Sequence, residues 1–339
     1  INVPENGKCY LKLIYHLKKE LPLLDEDHIL GFDEIEVSQK DAKCQLAEKW
    51  VENTVTDSEL QVSEDDTQIR EFAYTIDRRT ALFTEMKFAG REYLNHPMEL
   101  NIWRAPTDND MYIKSEWKKA HYDKAYTRAY TTEVVQGKHG VKITSHASVV
   151  AETVQKILDV TITWKIEAAG KIDADIAVTK DDEFPDLPRF GVRMFLDKKL
   201  SAARYFGMGP QESYCDKHQA ASHGLYHANV DDLHEDYIRP QENGSHYDCE
   251  YVELNNSRYG IVVSAENAFS FNASYYTQEE LEKKTHNYEL TESDSVVFCV
   301  DYALNGIGSN SCGPVVLDQY RFDDVLFRFQ FTLIPYVKG

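Results

Sequence analysis

A chain of 339 residues with 37 Lys plus Arg against 57 Asp plus Glu carries a formal charge of −20, a field that repels phosphate backbones and anionic lipid and argues against nucleic-acid and membrane partners. No run approaches eighteen apolar residues, and the first twenty residues lack the basic start, apolar run and small-residue cleavage site of an export signal. The length admits two domains, or one large β domain with an appendage.

The six cysteines (Cys9, Cys44, Cys215, Cys249, Cys299 and Cys312) are scattered without a CxxC spacing. They read as free thiols in a reducing compartment, and hence as a cytoplasmic location. A start at Ile1 instead of Met suggests a piece of a longer protein.

Taken in chain order, alternation of period two dominates. Leu11, Leu13, Tyr15 and Leu17 form the first apolar row, within an initial segment of residues 1–40 that predicts about three strands. Forty residues cannot bury a core alone. The polar, aperiodic stretch 41–65 follows and is expected to be a linker. From residue 66 to 339 the rows resume with Phe72, Tyr74 and Ile76, then Leu158, Val160, Ile162, Trp164 and Ile166, then Ile172, Ala174, Ile176 and Val178, and last Phe327, Phe329, Phe331 and Leu333. Each row places one face against a core, an antiparallel all-β pattern. Two short helices are expected, over 115–125 with Ser115 as cap and over 278–284. The run of βα units that a barrel enzyme needs is absent from the pattern.

NIWRAPTDND, residues 101–110, concentrates an aromatic, an arginine and two acids. A calcium loop beginning at Asp108 would need an oxygen ligand at 112, Gly at 113 and Glu at 119; the chain has Tyr112, Ile113 and Lys119. The acids therefore read as turn-fixing groups with Arg104 paired to one carboxylate, direct ligand contact being the alternative. His223 and His227 have an i, i+4 spacing that would suit a metal on a helix, but Gly224 lies between them and no third ligand is evident. The chain has no G-x-S-x-G elbow, and the Gly-rich run GIGSNSCGP at 306–314 reads as tight turns at a sheet edge, with Gly306, Gly308 and Gly313 supplying the freedom.

Four motifs occur in order: NIWRAPTDND at 101–110, YFGMGPQESYCD at 205–216, RPQENGSHYD at 239–248 and GIGSNSCGP at 306–314. Together with the ending FRFQFTLIP they resemble the C-terminal small-chain domain of glycoside hydrolase family 2 β-galactosidases. Residues 1–40, with GKCYLKLIYHL and HILGFDEIEV, resemble the last strands of the immunoglobulin-like domain that precedes it in that family.

The resemblance implies a large antiparallel β-sandwich of the galactose-mutarotase-like supersandwich type, preceded by a truncated immunoglobulin-like piece. It also implies that the two glutamates of a retaining mechanism stand on a (β/α)8 barrel outside this chain. No catalytic residue and no metal ligand is carried onto this sequence; magnesium and sodium belong to the other domains of such an enzyme. The barrel domain, a galactoside substrate and further copies of the enzyme are the implied partners.

What the domain brings is pocket wall. The resemblance assigns that role to Ser309, Asn310 and Cys312, the last where family members carry a sugar-stacking tryptophan, and to Met111 and Tyr112 after the first motif. Trp103, Arg104, Asp108, Asn109 and Asp110 are expected to brace the loop base. The shortened, glycine-free stretch after Asp110 argues against a closing lid. A close variant is a naturally separate small subunit of a heterodimeric β-galactosidase, and two rival classes remain: a mutarotase-like aldose epimerase, with Glu212 and His223 as base and acid, and a carbohydrate-binding module.

Overall fold

The computed structural model describes residues 7–40, 52–55, 59–63, 72–137, 140–153, 156–167, 169–308 and 310–338. The chain forms two compact units, Ile1–Ala47 and Glu48–Gly339.

The described residues of the first unit form one antiparallel hairpin of β1 (Gly7–His16) and β2 (Ile29–Lys40). None of its described side chains is buried, and Leu13, Tyr15, Ile29, Leu30 and Ile35 are exposed. The apolar row is present, but a two-stranded ribbon has no second layer to set against it.

In the second unit the stretch expected as a linker contributes β3 (Glu52–Val55) and β4 (Glu59–Ser63), and the boundary between units falls after Ala47. Burial of Leu60 and Val62 explains the difference. Their alternation is only three residues long and runs directly into the acidic SEDD, so its period carries little signal. With β5 (Phe72–Asp77), β6 (Leu82–Phe88) and β7 (Arg91–Glu92) these strands make a five-stranded antiparallel sheet in sequence order.

The remaining twelve strands form one branched antiparallel sheet. They are β8 (Leu94–Asn101), β9 (Tyr126–Gly137), β10 (Gly140–Val150), β11 (Leu158–Glu167), β12 (Ile172–Lys180), β13 (Arg189–Asp197), β14 (Ala202–Gly209), β15 (Ser222–Asn229), β16 (Ser245–Asn255), β17 (Tyr259–Ser274), β18 (Ser295–Leu304) and β19 (Leu326–Val337). The main path runs β15-β14-β16-β17-β19-β12-β11-β10-β9. The long β17 changes partner along its length: Tyr259 to Ser264 pair with β19, and Ser270 to Ser274 pair with β18, which continues the branch to β13 and β8.

The rows on β11, β12 and β19 are all buried and face the five-stranded sheet in part through Trp164, whose ring meets Phe83 edge-on at 4.8 Å and Phe331 at 6.3 Å. The Trp164 indole N–H donates to the Ala81 carbonyl at 2.8 Å, and the Tyr74 hydroxyl to the Gly170 carbonyl at 2.6 Å. Burial of such rings is worth roughly 1.5–3 kcal/mol each. The architecture is the large antiparallel β fold that the alternation predicts.

Both expected helices exist, with shifted ends. The first, α1 (Ile113–Lys119), begins two residues before Ser115, whose hydroxyl turns back to the Tyr112 carbonyl at 2.8 Å instead of capping. The second, α2 (Gln278–Lys283), is capped by Thr277, whose Oγ1 accepts from the Glu280 amide at 3.1 Å.

Candidate functional site

Strand pairing decides where the four motifs meet. In the register β8 against β13 against β18, Asn101 pairs with Gly191 and Arg189 with Leu304. The last residues of β8 and β18 and the first of β13 therefore share one end of the sheet, and Arg104, Arg189 and Asn305 lie just beyond it.

Arg104 is fully buried. Its Nε and Nη2 form a fork on Asp110, at 3.1 Å to Oδ2 and 2.7 Å to Oδ1, while Nη1 donates to the Asn305 carbonyl and Nη2 also to that of Gly306 at 3.2 Å. Burial alone would lower the Arg104 pKa, but the carboxylates of Asp110 and Glu242 more than offset it, so the guanidinium stays charged. Asp110 Oδ2 in turn accepts from the Thr107 amide at 2.9 Å. Two aromatic rings close the space around the arginine: Trp117 lies 5.2 Å beneath its guanidinium, and Trp103 meets Trp117 edge-on at 6.2 Å.

The other motifs dock on this frame. From the second, Asp216 accepts from the amides of Ile307 at 3.1 Å and Gly308 at 2.7 Å. From the third, Gln241 Oε1 accepts from the Asp108 amide at 3.1 Å and Glu242 Oε2 from the Ala105 amide at 3.2 Å. Glu242 also takes Nη1 of the buried Arg189 at 2.7 Å, and Arg189 forks onto Asp301 at 3.1 and 2.5 Å. From the fourth, the Gly308 carbonyl accepts from the Asn109 amide side chain, whose Oδ1 accepts from Ser311 at 2.8 Å.

Glycine is required at two of these places. A Cβ on Gly306 would stand 2.7 Å from Asp216 Oδ2, and Gly308 has φ +56° with Val316 only 2.5 Å from where its Cβ would be.

Beside this junction opens a cleft of about 620 Å³, lined in part by Asn109, Glu212, Asp216, Glu242, Gly308 and Leu317. Each acid in that group is already engaged. Glu212 accepts from Tyr237, from Lys217 and from the Gly244 amide at 2.9 Å, Asp216 holds two amides and Glu242 holds Arg189.

Of the expected bracing residues, Arg104 and Asp110 pair, Asn109 ties the first motif to the fourth, Trp103 packs on Trp117, and Asp108 uses its backbone amide while its side chain is exposed. Of the expected pocket-wall residues, Ser309 lies outside the described residues. Met111, Tyr112 and Cys312 are exposed, Asn310 is half-buried, and none of these four is among the described residues that line the cleft. The sequence reading missed Asp216, Gln241 and Glu242 as functional positions, although all three stand inside the quoted motifs. It had no local signal for Arg189, Asp301 and Asn305.

The rival pairs dissolve as sites. His223 and His227 lie on β15, where a four-residue separation spans roughly 13 Å, and the described residues contain no cluster able to hold a metal. His223 Nε2 contacts Asp248 at 2.9 Å while Glu212 is held by four donors, from Tyr214, Tyr237, Lys217 and the Gly244 amide, so the structure brings no epimerase-like pair together through them. Cys9, Cys215, Cys249, Cys299 and Cys312 are free thiols. No helix among the described residues is long and apolar enough to cross a membrane.

Comparison with known proteins gives these geometries a family. A family model described as β-galactosidase small chain matches residues 68–333. A β-galactosidase of Actinobacillus pleuropneumoniae is 42% identical over 98% of this chain, and one of Staphylococcus xylosus is 32% identical over 98%. Each match covers 33% of the relative, so the chain spans about a third of the length of these curated proteins. Among solved structures, the galactose 1-epimerase of Lactobacillus acidophilus aligns over 87% of this chain and 100% of its own, with TM-score 0.41 and 8% identity; the heparan sulfate lyase HepC of Pedobacter heparinus aligns over 85% and 37%, with TM-score 0.42 and 8% identity. The matched span includes all four motifs that converge at the cleft, and the chain belongs to the β-galactosidase small-chain family.

Proposed function

We propose that this chain acts as the C-terminal part of a β-galactosidase, supplying no catalytic carboxylate itself and completing the substrate pocket and subunit packing of an enzyme that hydrolyses terminal β-D-galactosides. The observation that carries the proposal is that Glu212, Asp216 and Glu242 at the cleft are all consumed by structural hydrogen bonds. A retaining glycosidase needs two carboxyl groups about 5–5.5 Å apart, each able to reach the sugar. An acid committed to several donors or to a buried arginine serves geometry instead.

The rim supports a docking role. Ile238, Val315 and Leu317, at the edges of the third and fourth motifs, are exposed apolar side chains that suit a covering surface, as do Met111 and Tyr112 after the first. The partner in this reading is the barrel domain of the same enzyme, which carries the catalytic pair together with any magnesium and sodium. Further copies of the enzyme assemble with it, in the cytoplasm. Ser309, Asn310 and Cys312 then face the sugar only once that partner is present. A thiol where the family carries an indole leaves that side of the pocket wider.

Incubating the chain alone with a chromogenic β-galactoside is expected to give no turnover above the uncatalysed rate. Robust hydrolysis would overturn the reading.

A further inference from the structure

The main strand path of the large sheet ends on β15, of eight residues with Gly224 in its interior, and on β9, of twelve. The first part of β9 is covered: the Ala129 amide donates to the Arg79 carbonyl at 2.7 Å, and Tyr130 is an extra residue in the pairing with β10. From Thr131 to Gly137 the strand pairs with β10 in unbroken register, and among the described residues no strand pairs with its other side.

This run lacks what keeps an edge from recruiting another strand. Residues 131–137 read TTEVVQG, with no proline, no lysine and a single charge at Glu133, and the bulge falls before them. Thr and Val favour extended chain, and alternate backbone N–H and C=O groups point away from β10. Such an edge is a template for a further strand.

Its side chains narrow the occupant. Thr132 and Val134 are half-buried and lie opposite the buried Ser145 and Ile143, so they belong to the inner face, while Thr131, Glu133 and Val135 are exposed on the outer one. Opposite residues of an antiparallel pair share a face. The midpoint of the open run is Val134. An antiparallel copy of the run centred there sets Val134 against Val134, Thr132 against Gln136 and Glu133 against Val135. No like charges meet, and the inner row of Ile143 and Val134 continues into the second copy.

We propose that residues 131–137 form a self-association edge, through which two copies of this chain join β9 to β9 in one continuous antiparallel sheet about a two-fold axis at Val134. The choice of a second copy as occupant rests on the assembly of copies in the proposed function as well as on this register. The inference gives that assembly a surface.

The test is sedimentation velocity of the full chain over a range of concentrations, with exchange of the amides in residues 131–137 that point away from β10 followed in parallel. A monomer–dimer equilibrium is expected. Because each copy carries a formal charge of −20, raising the salt concentration should strengthen it. Val135→Glu sets like charges opposite each other on both sides of the axis, against Glu133 of each copy, and should weaken the dimer about tenfold. Adding Glu133→Lys should restore it, with an unchanged circular dichroism spectrum throughout. A chain that stays monomeric, a dimer weakened by salt, a dimer indifferent to Val135→Glu, or a loss that Glu133→Lys does not restore would each overturn the proposal. Should Val135→Glu fail to fold, exchange in the unaltered chain decides alone: protection of these amides that grows with concentration upholds the interface, and protection that is absent or already complete in the monomer overturns it. No substrate enters the test, so its failure is distinct from failure of the hydrolytic reading.

Discussion

The hairpin of residues 7–40 and the junction around Arg104 are both built on antiparallel strands that alternate apolar and polar residues, yet their energetics are opposite. In the hairpin every described side chain reaches solvent. At the junction two arginines are wholly buried and every carboxylate that meets them is buried too. Alternation assigns residues to a face; whether that face becomes a core depends on a second layer. For β11 the layer is the five-stranded sheet, for the junction it is the other motifs, and for the hairpin none exists among the described residues of its own unit.

Mutation tests this contrast, and the largest effect is expected at the junction. Arg104→Ala leaves Asp110 buried and unpaired, which should cost about 3–5 kcal/mol in urea unfolding and remove amide protection over residues 101–116. Unchanged protection there would break the account of the arginine as a brace.

A middle-sized effect belongs to His246, buried in the third motif between Tyr205 at 4.5 Å and Phe271 at 5.1 Å, with only the Met208 carbonyl 3.4 Å from Nδ1. Burial lowers its pKa to about 4, against the raising pull of Met208 and Glu212. The folded chain thus holds it neutral while the unfolded chain takes up a proton near pH 6.5. This contribution is present in full above that pH and is lost as pH falls towards 4, by about 2 kcal/mol between pH 7 and 5. His246→Phe should flatten the dependence of the urea midpoint on pH in that window, and an unaltered slope would remove His246 as its source.

The smallest effect is expected in the hairpin. Leu13→Ala should change unfolding of the chain by less than about 0.5 kcal/mol, whereas a loss comparable to a core truncation would mean that the row is covered after all.

The fold was legible where rows of four or five residues met a second layer, as on β11, β12 and β19; the row Leu11, Leu13, Tyr15 and Leu17 reads the same way and is not buried. It was illegible at β4, where Leu60 and Val62 carry the burial alone beside an acidic run, and at α1, where Ser115 looks like a cap but sits inside the first turns. The site was legible as motifs, and the structure adds why they belong together: Asp216, Gln241, Glu242 and Arg104 each spend their polar atoms on another motif's backbone. Arg189 and Asp301 escaped because their pairing depends on the register of β13 against β18, which no local pattern records. Met111, Tyr112, Asn310 and Cys312 entered through resemblance, which reports what a position faces in a whole enzyme and not what it touches here.

The position of β19 bears on how the domain is made. Residues 326–337 lie between β12 and β17, pairing Ile172 with Leu333 on one side and Tyr259 with Val337 on the other. On a ribosome these two neighbours emerge first and hold open edges facing each other, a template for pairing with another chain, until the twelve residues between them have been translated. Both edges coexist from residue 274 until β19 has been made, and a chaperone that shields them during that interval is expected to raise the yield without touching the stability of the finished protein.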